Sequence, residues 1–170
     1  MKKPKYCLLA TAFIFLLISV LISCTPSGDD YYTVKRVVDG DTLLLKEGQR
    51  VRLIGVDTPE VHISKKLYRD AERSGRDIKT IRELGKRASD FVKSLVKPGD
   101  RIRLEYDWQK VDKYGRILAY VYLEDGTFLN AEIIKQGYGN AYTRFPFKYI
   151  DEFRTYEREA RENKKGLWGE

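Results

Sequence analysis

The sequence feature that most constrains the fold is a series of short segments rich in β-branched and aromatic residues, separated by turn signals. Three of them follow one another, at residues 32–38, 42–46 and 50–56. Segments of this kind are typical of β-strands. Glu47-Gly48 predicts a hairpin turn, and Asp39-Gly40 predicts a tight turn or bulge with a positive φ. In the third segment Val51 and Leu53 alternate with Arg52, so we expect Arg52 to project from the opposite face.

The rest of the chain adds two strands and several helices. The strands are predicted at residues 101–107 and 116–123. Apolar residues at helical spacing predict helices at about 88–96, 130–136 and 149–164. We expect Asn130 to cap the second of these helices and Gly137 to end it. The pattern predicts an α+β fold, mainly β: a five-stranded OB-fold-like β-barrel with about three α-helices. Periodicity leaves the strand order open.

The first 30 residues predict where the protein is sent. Three lysines precede an uncharged apolar run at residues 7–22, which is shorter than the about 20 residues of a spanning helix and typical of a signal peptide. The run ends in Leu21-Ile22-Ser23-Cys24, which resembles the lipobox of bacterial lipoproteins. We therefore predict an exported protein of the cell membrane or cell envelope, anchored through a lipidated Cys24. An ordinary signal peptide and an uncleaved anchor helix are the alternatives.

This interpretation divides the chain into a lipoprotein signal peptide at 1–23, a polar tether at 24–30 and one folded domain at 31–170. Cleavage would discard Cys7 and leave Cys24 for the lipid, so no pair of cysteines remains for a disulfide. The leader carries three lysines and no acid, so its loss lowers the net charge from +7 to +4. A modest positive excess favours polyanionic partners but selects no function by itself.

Three strings concentrate acids and arginines in the predicted domain. They are Asp39-Gly40-Asp41-Thr42, residues 52–60 (RLIGVDTPE) and Asp112-Lys113-Tyr114-Gly115-Arg116. Carboxylates can hold a hard metal ion, and arginines can hold a phosphate. Because both kinds of residue occur together, a site that cleaves phosphodiester bonds is the leading hypothesis.

The same three strings resemble the signature segments of the staphylococcal nuclease family. The resemblance runs from about residue 32 to 168 and ends with Gly166-Leu167-Trp168 where the family is expected to end. It implies an OB-fold barrel with three helices and Ca²⁺-dependent cleavage of DNA and RNA. No protein partner is implied, and we expect a monomer.

The resemblance assigns the metal ligands to Asp41, Asp57 and the backbone carbonyl of Thr58. Chemistry agrees with these residue types, because Ca²⁺ takes only oxygen ligands in a tolerant geometry. A lone aspartate in a loop is usually a turn cap, and we interpret Asp39 in that way. For Asp41 and Asp57 the combined motif favours the metal.

By resemblance Arg52 and Arg116 are catalytic, and Glu60 matches the catalytic glutamate described as a general base. A guanidinium offers a planar fork of donors that fits phosphate oxygens, where negative charge grows as water attacks. Isolated arginines on strands are otherwise solvated or paired with an acid. Glu60 follows a proline that holds Thr58 extended.

Substrate contacts are also implied by the resemblance. Lys113 and Tyr114 match residues that contact a terminal phosphate, and Tyr142 matches an aromatic residue near the bound base. Arg144 stands where the best-known member has a second tyrosine, so the chain departs from the family pattern at that position.

Residues 61–84 form a longer connection than the family usually has, with seven Lys/Arg and four Asp/Glu. The segment is either a track for nucleic acid or a solvated helix or loop. His62 is interpreted as structural, because Ca²⁺ does not favour imidazole.

Two non-enzymatic functions compete with the nuclease hypothesis. One is an OB-fold module that binds nucleic acid without cutting it, and the other is a surface adhesion lipoprotein. A degenerate binding module would lack the acids or the arginines of the three strings, which are present here. An adhesion protein would leave the acid cluster without a purpose.

Overall fold

The computed structural model describes residues 31–169. The predicted signal peptide, the tether and Cys24 lie outside the described residues. The strands are β1 (Tyr31–Asp39), β2 (Thr42–Leu45), β3 (Arg50–Leu53), β4 (Val56–Asp57), β5 (Arg101–Glu105), β6 (Ile117–Leu123) and β7 (Asn140–Ala141). The helices are α1 (Lys65–Ser74), α2 (Ile78–Leu95), α3 (Leu129–Lys135) and α4 (Ile150–Glu162), followed by a 3₁₀ turn at Gly166–Trp168.

Five strands close into a barrel in the order β1-β2-β3-β6-β5, with β1 pairing with β5. All neighbours are antiparallel except β3 and β6, which run parallel. Two register shifts in β1, one of them at the Asp39 end, bend the sheet as bulges do. The predicted α+β class with a five-stranded barrel is confirmed. A separate two-stranded sheet pairs β4 with β7 and brings Asp57 opposite Asn140.

The barrel encloses the main apolar core. Alternate strand residues such as Leu43, Leu45, Val51 and Leu53 are fully buried, as the period of two predicts. Helix α2 packs against β1, and α3 packs against β6 and α4. Because Val51 and Leu53 face the core inside the barrel, Arg52 lies on the outer face of β3, where it is only half-buried.

Segment 61–84 contains helix α1 and the first residues of α2, with a short non-helical break between them, so the described residues contain four helices instead of about three. Ser64 caps α1 by accepting a hydrogen bond from the backbone N–H of Leu67 at 3.1 Å. Gly75 ends the helix in the left-handed conformation. In the part of the chain described, no helix combines the length and apolarity needed to cross a membrane.

Two local expectations were wrong. Gly40 has no positive φ. An added Cβ would instead lie 2.8 Å from the side chain of Thr58, so glycine is required there for close approach. Asn130 does not cap a helix but lies buried inside α3. Its amide accepts from Val121 N at 2.9 Å and donates to the carbonyl of Ile54 at 2.9 Å, which ties α3 to the barrel.

Candidate active site

The predicted site residues meet at one groove of about 1050 Å³ beside the barrel. Seven of them line it: Arg52, Asp57, Glu60, Lys113, Tyr114, Arg116 and Tyr142. The other two, Asp41 and Thr58, are buried at 3% and 4% exposure. Asp41 and Thr58 contact each other, and Arg52 joins Asp41 to the groove. All nine predicted residues therefore belong to one constellation.

Strand pairing brings the two arginines together. In the parallel register of β3 and β6, Arg52 lies opposite Leu118. Arg116 stands two residues before Leu118, and residues two apart on an extended chain share a face. Arg52 and Arg116 are therefore directed to the same side of the sheet, and both side chains reach the groove.

Arg52 is the electrostatic centre of the site. Its guanidinium forms an ion pair with the Asp41 carboxylate, lies 3.5 Å from Asp57 Oδ1 and donates to the carbonyl of Val56 at 3.1 Å. Burial lowers the pKa of Arg52, Asp57 counteracts that effect, and the nearby positive charge of Arg116 lowers it further. Two cations that repel each other across a groove favour the binding of an anion between them.

Asp41 is held by its neighbours as well as by Arg52. Its Oδ2 accepts from the backbone N–H of Thr58 at 3.2 Å and from the Thr58 hydroxyl at 3.3 Å. Its Oδ1 accepts from the Thr42 hydroxyl at 3.0 Å. A buried carboxylate satisfied in this way keeps its position, so Asp41 and Thr58 are fixed relative to each other.

The donor set suits Ca²⁺. Asp41 and Asp57 both contact Arg52, so their carboxylates lie close to one another, and every candidate ligand atom is an oxygen. Within residues 31–169, no three His, Cys, Asp or Glu side chains cluster as a metal cage. Two carboxylates and one backbone carbonyl would leave coordination positions for water and substrate, which Ca²⁺ tolerates.

Glu60 is placed by two features that sequence reasoning missed. The Ser64 hydroxyl, which also caps α1, donates to Glu60 Oε2 at 3.4 Å. Gly85 in α2 lies under the same segment, where an added Cβ would come within 2.6 Å of the carbonyl oxygen of Pro59. The Pro59-Glu60 backbone therefore packs directly on helix α2.

Arg116 is oriented by Asp112, to which the sequence assigned no role. Arg116 donates to Asp112 Oδ2 from Nε at 2.8 Å, and its Nη2 lies 2.7 Å from the same atom. The backbone N–H groups of Tyr114 and Arg116 donate to Asp112 Oδ1. Burial raises the pKa of Asp112, but these hydrogen bonds and the charge of Arg116 outweigh it, so the pKa lies below its usual value.

The predicted substrate contacts lie at the rim of the groove. Tyr114 is 72% exposed, with Lys113 Nζ 5.1 Å and Arg116 Cζ 5.6 Å from its ring centre. The ring centres of Tyr142 and Phe145 lie 6.2 Å apart. Trp108 and Phe145 also line the groove, as do Arg69 and Arg73 of α1. No motif singled out the two aromatic residues; the two arginines carried only the charge signal of segment 61–84.

Comparisons with known proteins agree with this geometry. A family described as "Staphylococcal nuclease homologue" matches residues 50–170. A thermonuclease of Staphylococcus intermedius is 39% identical over 150 residues, covering 86% of this chain and 80% of the relative. An uncharacterised protein of Methanocaldococcus jannaschii is 39% identical over 157 residues, covering 86% of this chain and 75% of the relative.

Endonuclease YhcR of Bacillus subtilis is 33% identical over 154 residues, which are 85% of this chain but only 12% of that much longer protein. The family match covers well over half of the chain and includes Arg52, Asp57, Glu60 and Arg116. This protein therefore belongs to the staphylococcal nuclease family.

Proposed function

We propose that this protein is a Ca²⁺-dependent endonuclease that hydrolyses phosphodiester bonds of DNA and RNA without sequence preference. That it is a nuclease follows from its family. The observation that carries the proposal is the geometry of Arg52, which contacts both Asp41 and Asp57 in the groove that also holds Glu60 and Arg116.

The arginines bind the phosphate. Their forks of N–H donors match phosphate oxygens, and their fixed charge stabilises the negative charge that develops there as water attacks. Asp112 keeps the Arg116 fork oriented. Because Arg52 is bound to Asp41 and Val56, it too is already in place before substrate arrives.

Glu60 accepts the proton of the attacking water. It lines the groove, and its hydrogen bond with Ser64 limits the directions in which its carboxylate can point. A general base must lie within hydrogen-bond reach of the proton it removes, so this restriction contributes to the rate.

Asp41, Asp57 and the carbonyl of Thr58 would hold the Ca²⁺. When bound, the ion supplies Lewis-acid stabilisation of a phosphoryl oxygen. Mg²⁺ demands a tighter octahedral geometry and gives up its water reluctantly, so we expect poor turnover with it.

The proposal is tested with purified protein, single-stranded DNA and RNA, and either Ca²⁺ or a chelator. We expect cleavage of both nucleic acids with Ca²⁺ and none with the chelator. Glu60→Gln keeps the shape of the side chain but removes its basicity, so kcat should fall more than KM rises. Binding without cleavage under every Ca²⁺ condition would favour the non-catalytic OB-fold module.

We also propose that the protein is exported and anchored by a lipid at Cys24, as the lipobox-like string suggests. A single acyl chain binds a membrane only marginally, so stable anchoring requires more than one. Cys24→Ser should give soluble or unprocessed protein with unchanged specific activity. A variant that still fractionates as a cleaved membrane protein would refute the anchor.

A further inference from the structure

Trp108 and Phe145, which we call the aromatic ledge, are exposed side chains that line the groove. They are 68% and 62% exposed, and neither belongs to the apolar core. Trp108 lies in the β5–β6 connection and Phe145 in the β7–α4 connection. Large apolar side chains exposed together in a groove mark a binding surface, because water contact with them gives no stability.

The aromatic ledge is held in place by hydrogen bonds. The indole N–H of Trp108 donates to the carbonyl of Pro146, next to Phe145, at 3.1 Å. The preceding Asp107 accepts from Trp108 N at 2.8 Å, from Lys148 N at 2.9 Å and from the hydroxyl of Tyr120. The two connections are thus joined to each other and to the barrel. A ring that is already fixed loses little entropy when a ligand stacks on it.

Helix α1 supplies a second wall of the groove. Arg69 and Arg73, which we call the arginine wall, stand four residues apart on one face of α1, and both are exposed. Neither makes an ion pair within residues 31–169, whereas Arg52 and Arg116 in the same groove are each paired with a carboxylate. The arginine wall is therefore available to an anion from outside.

We propose that the aromatic ledge and the arginine wall extend the substrate groove and bind unpaired nucleotides beside the scissile phosphodiester. Bases stack on the ledge, and backbone phosphates contact the wall. This inference rests on the proposed nuclease function. The groove, at about 1050 Å³, is as large as a pocket for a whole drug-sized ligand, so it holds more than one phosphate group.

The combination of charge and aromatic surface selects the ligand. Stacking on aromatic rings is tolerant of sequence but needs bases whose faces are free. A duplex keeps its bases stacked inside, so it can use the arginine wall but not the aromatic ledge. The groove is therefore built for single strands of DNA or RNA.

The aromatic ledge is tested with the double variant Trp108→Ala/Phe145→Ala. For a single strand of about 10 nucleotides we expect KM to rise about 100-fold, with kcat unchanged, because each of the two stacked bases contributes a factor of about 10. Tyr68→Ala is the matched control, since Tyr68 is 52% exposed but does not line the groove. A duplex of the same sequence should be affected less than the single strand. Equal losses for both, or no loss for the single strand, would overturn the role of the ledge.

A binding measurement keeps this test separate from catalysis. In the presence of a chelator, the single strand should quench the tryptophan emission of the protein, and Trp108→Phe should remove most of that quenching. If wild-type protein cuts nothing but shows this quenching, the nuclease function fails and the binding groove stands. If it cuts DNA but Trp108→Phe leaves the quenching unchanged, the inference fails and the nuclease function stands.

The arginine wall is tested by salt dependence. Each phosphate neutralised on a single strand contributes about 0.7 to the slope of log K against log salt, so Arg69→Ala/Arg73→Ala should lower that slope by about 1.4. Lys86→Ala/Arg158→Ala removes the same charge from exposed positions outside the groove, neither of which makes an ion pair in the described part of the chain. If both pairs lower the slope equally, net charge is responsible and the arginine wall is refuted.

Discussion

Gly85→Ala tests how the fold positions Glu60, the proposed general base. Gly85 lies inside α2, where helix propensity alone predicts that alanine stabilises the protein by about 0.5 to 1 kcal/mol. The structure predicts the opposite sign. An alanine Cβ would lie 2.6 Å from the carbonyl oxygen of Pro59 and 2.8 Å from that of Glu60.

The size of the effect follows from these distances. Ordinary contact begins at 3.4 Å, so the segment of Pro59 and Glu60 must withdraw by about 0.6 to 0.8 Å. Overpacking of this kind costs about 1 to 3 kcal/mol, which outweighs the gain in helix propensity. Because a displacement of about 1 Å can cost 10²-fold in rate, we expect kcat to fall by roughly 10- to 100-fold with little change in KM.

Denaturant unfolding and initial rates on single-stranded DNA measure both effects. Lys86→Ala is the matched control, because residue 86 is the next in the same helix and is exposed. It should leave stability within about 0.5 kcal/mol and leave kcat unchanged. If Gly85→Ala is more stable than wild type and retains its kcat, the packing of Glu60 on α2 does not position the general base.

The remaining predictions concern the charged groups. Arg52→Ala and Arg116→Ala should each lower kcat by about 10²- to 10³-fold, and lysine should rescue little, since it lacks the planar fork. Each variant needs an unfolding curve beside its kinetics, and wild-type rates in folded variants would place the active site elsewhere. Asp41→Asn and Asp57→Asn should weaken Ca²⁺ binding, measured by titration with the metal alone, and an unchanged Kd would remove that residue from the ligands. Asp112 has a lowered pKa in the folded protein, so its contribution to stability is present above its usual value of 3.8 and is lost as the pH falls through the folded value. Asp112→Asn should flatten the acid limb of unfolding free energy against pH, and an unaltered limb would contradict this.

The sequence predicted the barrel well because its strands obey a local rule. Leu43, Val51 and Leu53 alternate with polar or half-exposed neighbours, and each falls on the inner face as expected. The Glu47-Gly48 turn also forms, with Gly48 at a φ of 95°. Such features depend on residues near one another in the chain, so periodicity is enough to find them.

Helices were less predictable where tertiary contacts override local signals. Asn130 has the side chain of a typical cap, but its amide satisfies buried backbone groups of Val121 and Ile54 instead. For segment 61–84 the sequence did not decide between a helix and a loop, because charged residues dominate it. The structure shows why the apolar signal is weak: in α1 only Leu67 is a buried apolar residue.

The sequence alone predicted the chemistry proposed for the site: oxygen donors at Asp41 and Asp57, a base at Glu60 and phosphate-binding forks at Arg52 and Arg116. These follow from residue type and motif, which need no coordinates.

Only the tertiary structure decided how the groups are held together and what surrounds them. The parallel pairing of β3 and β6 brings Arg52 beside Arg116, although 63 residues separate them in the chain. Gly85 leaves room for Glu60, and the aromatic ledge is fixed through Asp107. Such contacts join residues far apart in sequence, so their free energy depends on the closed barrel and leaves no periodic trace in the chain.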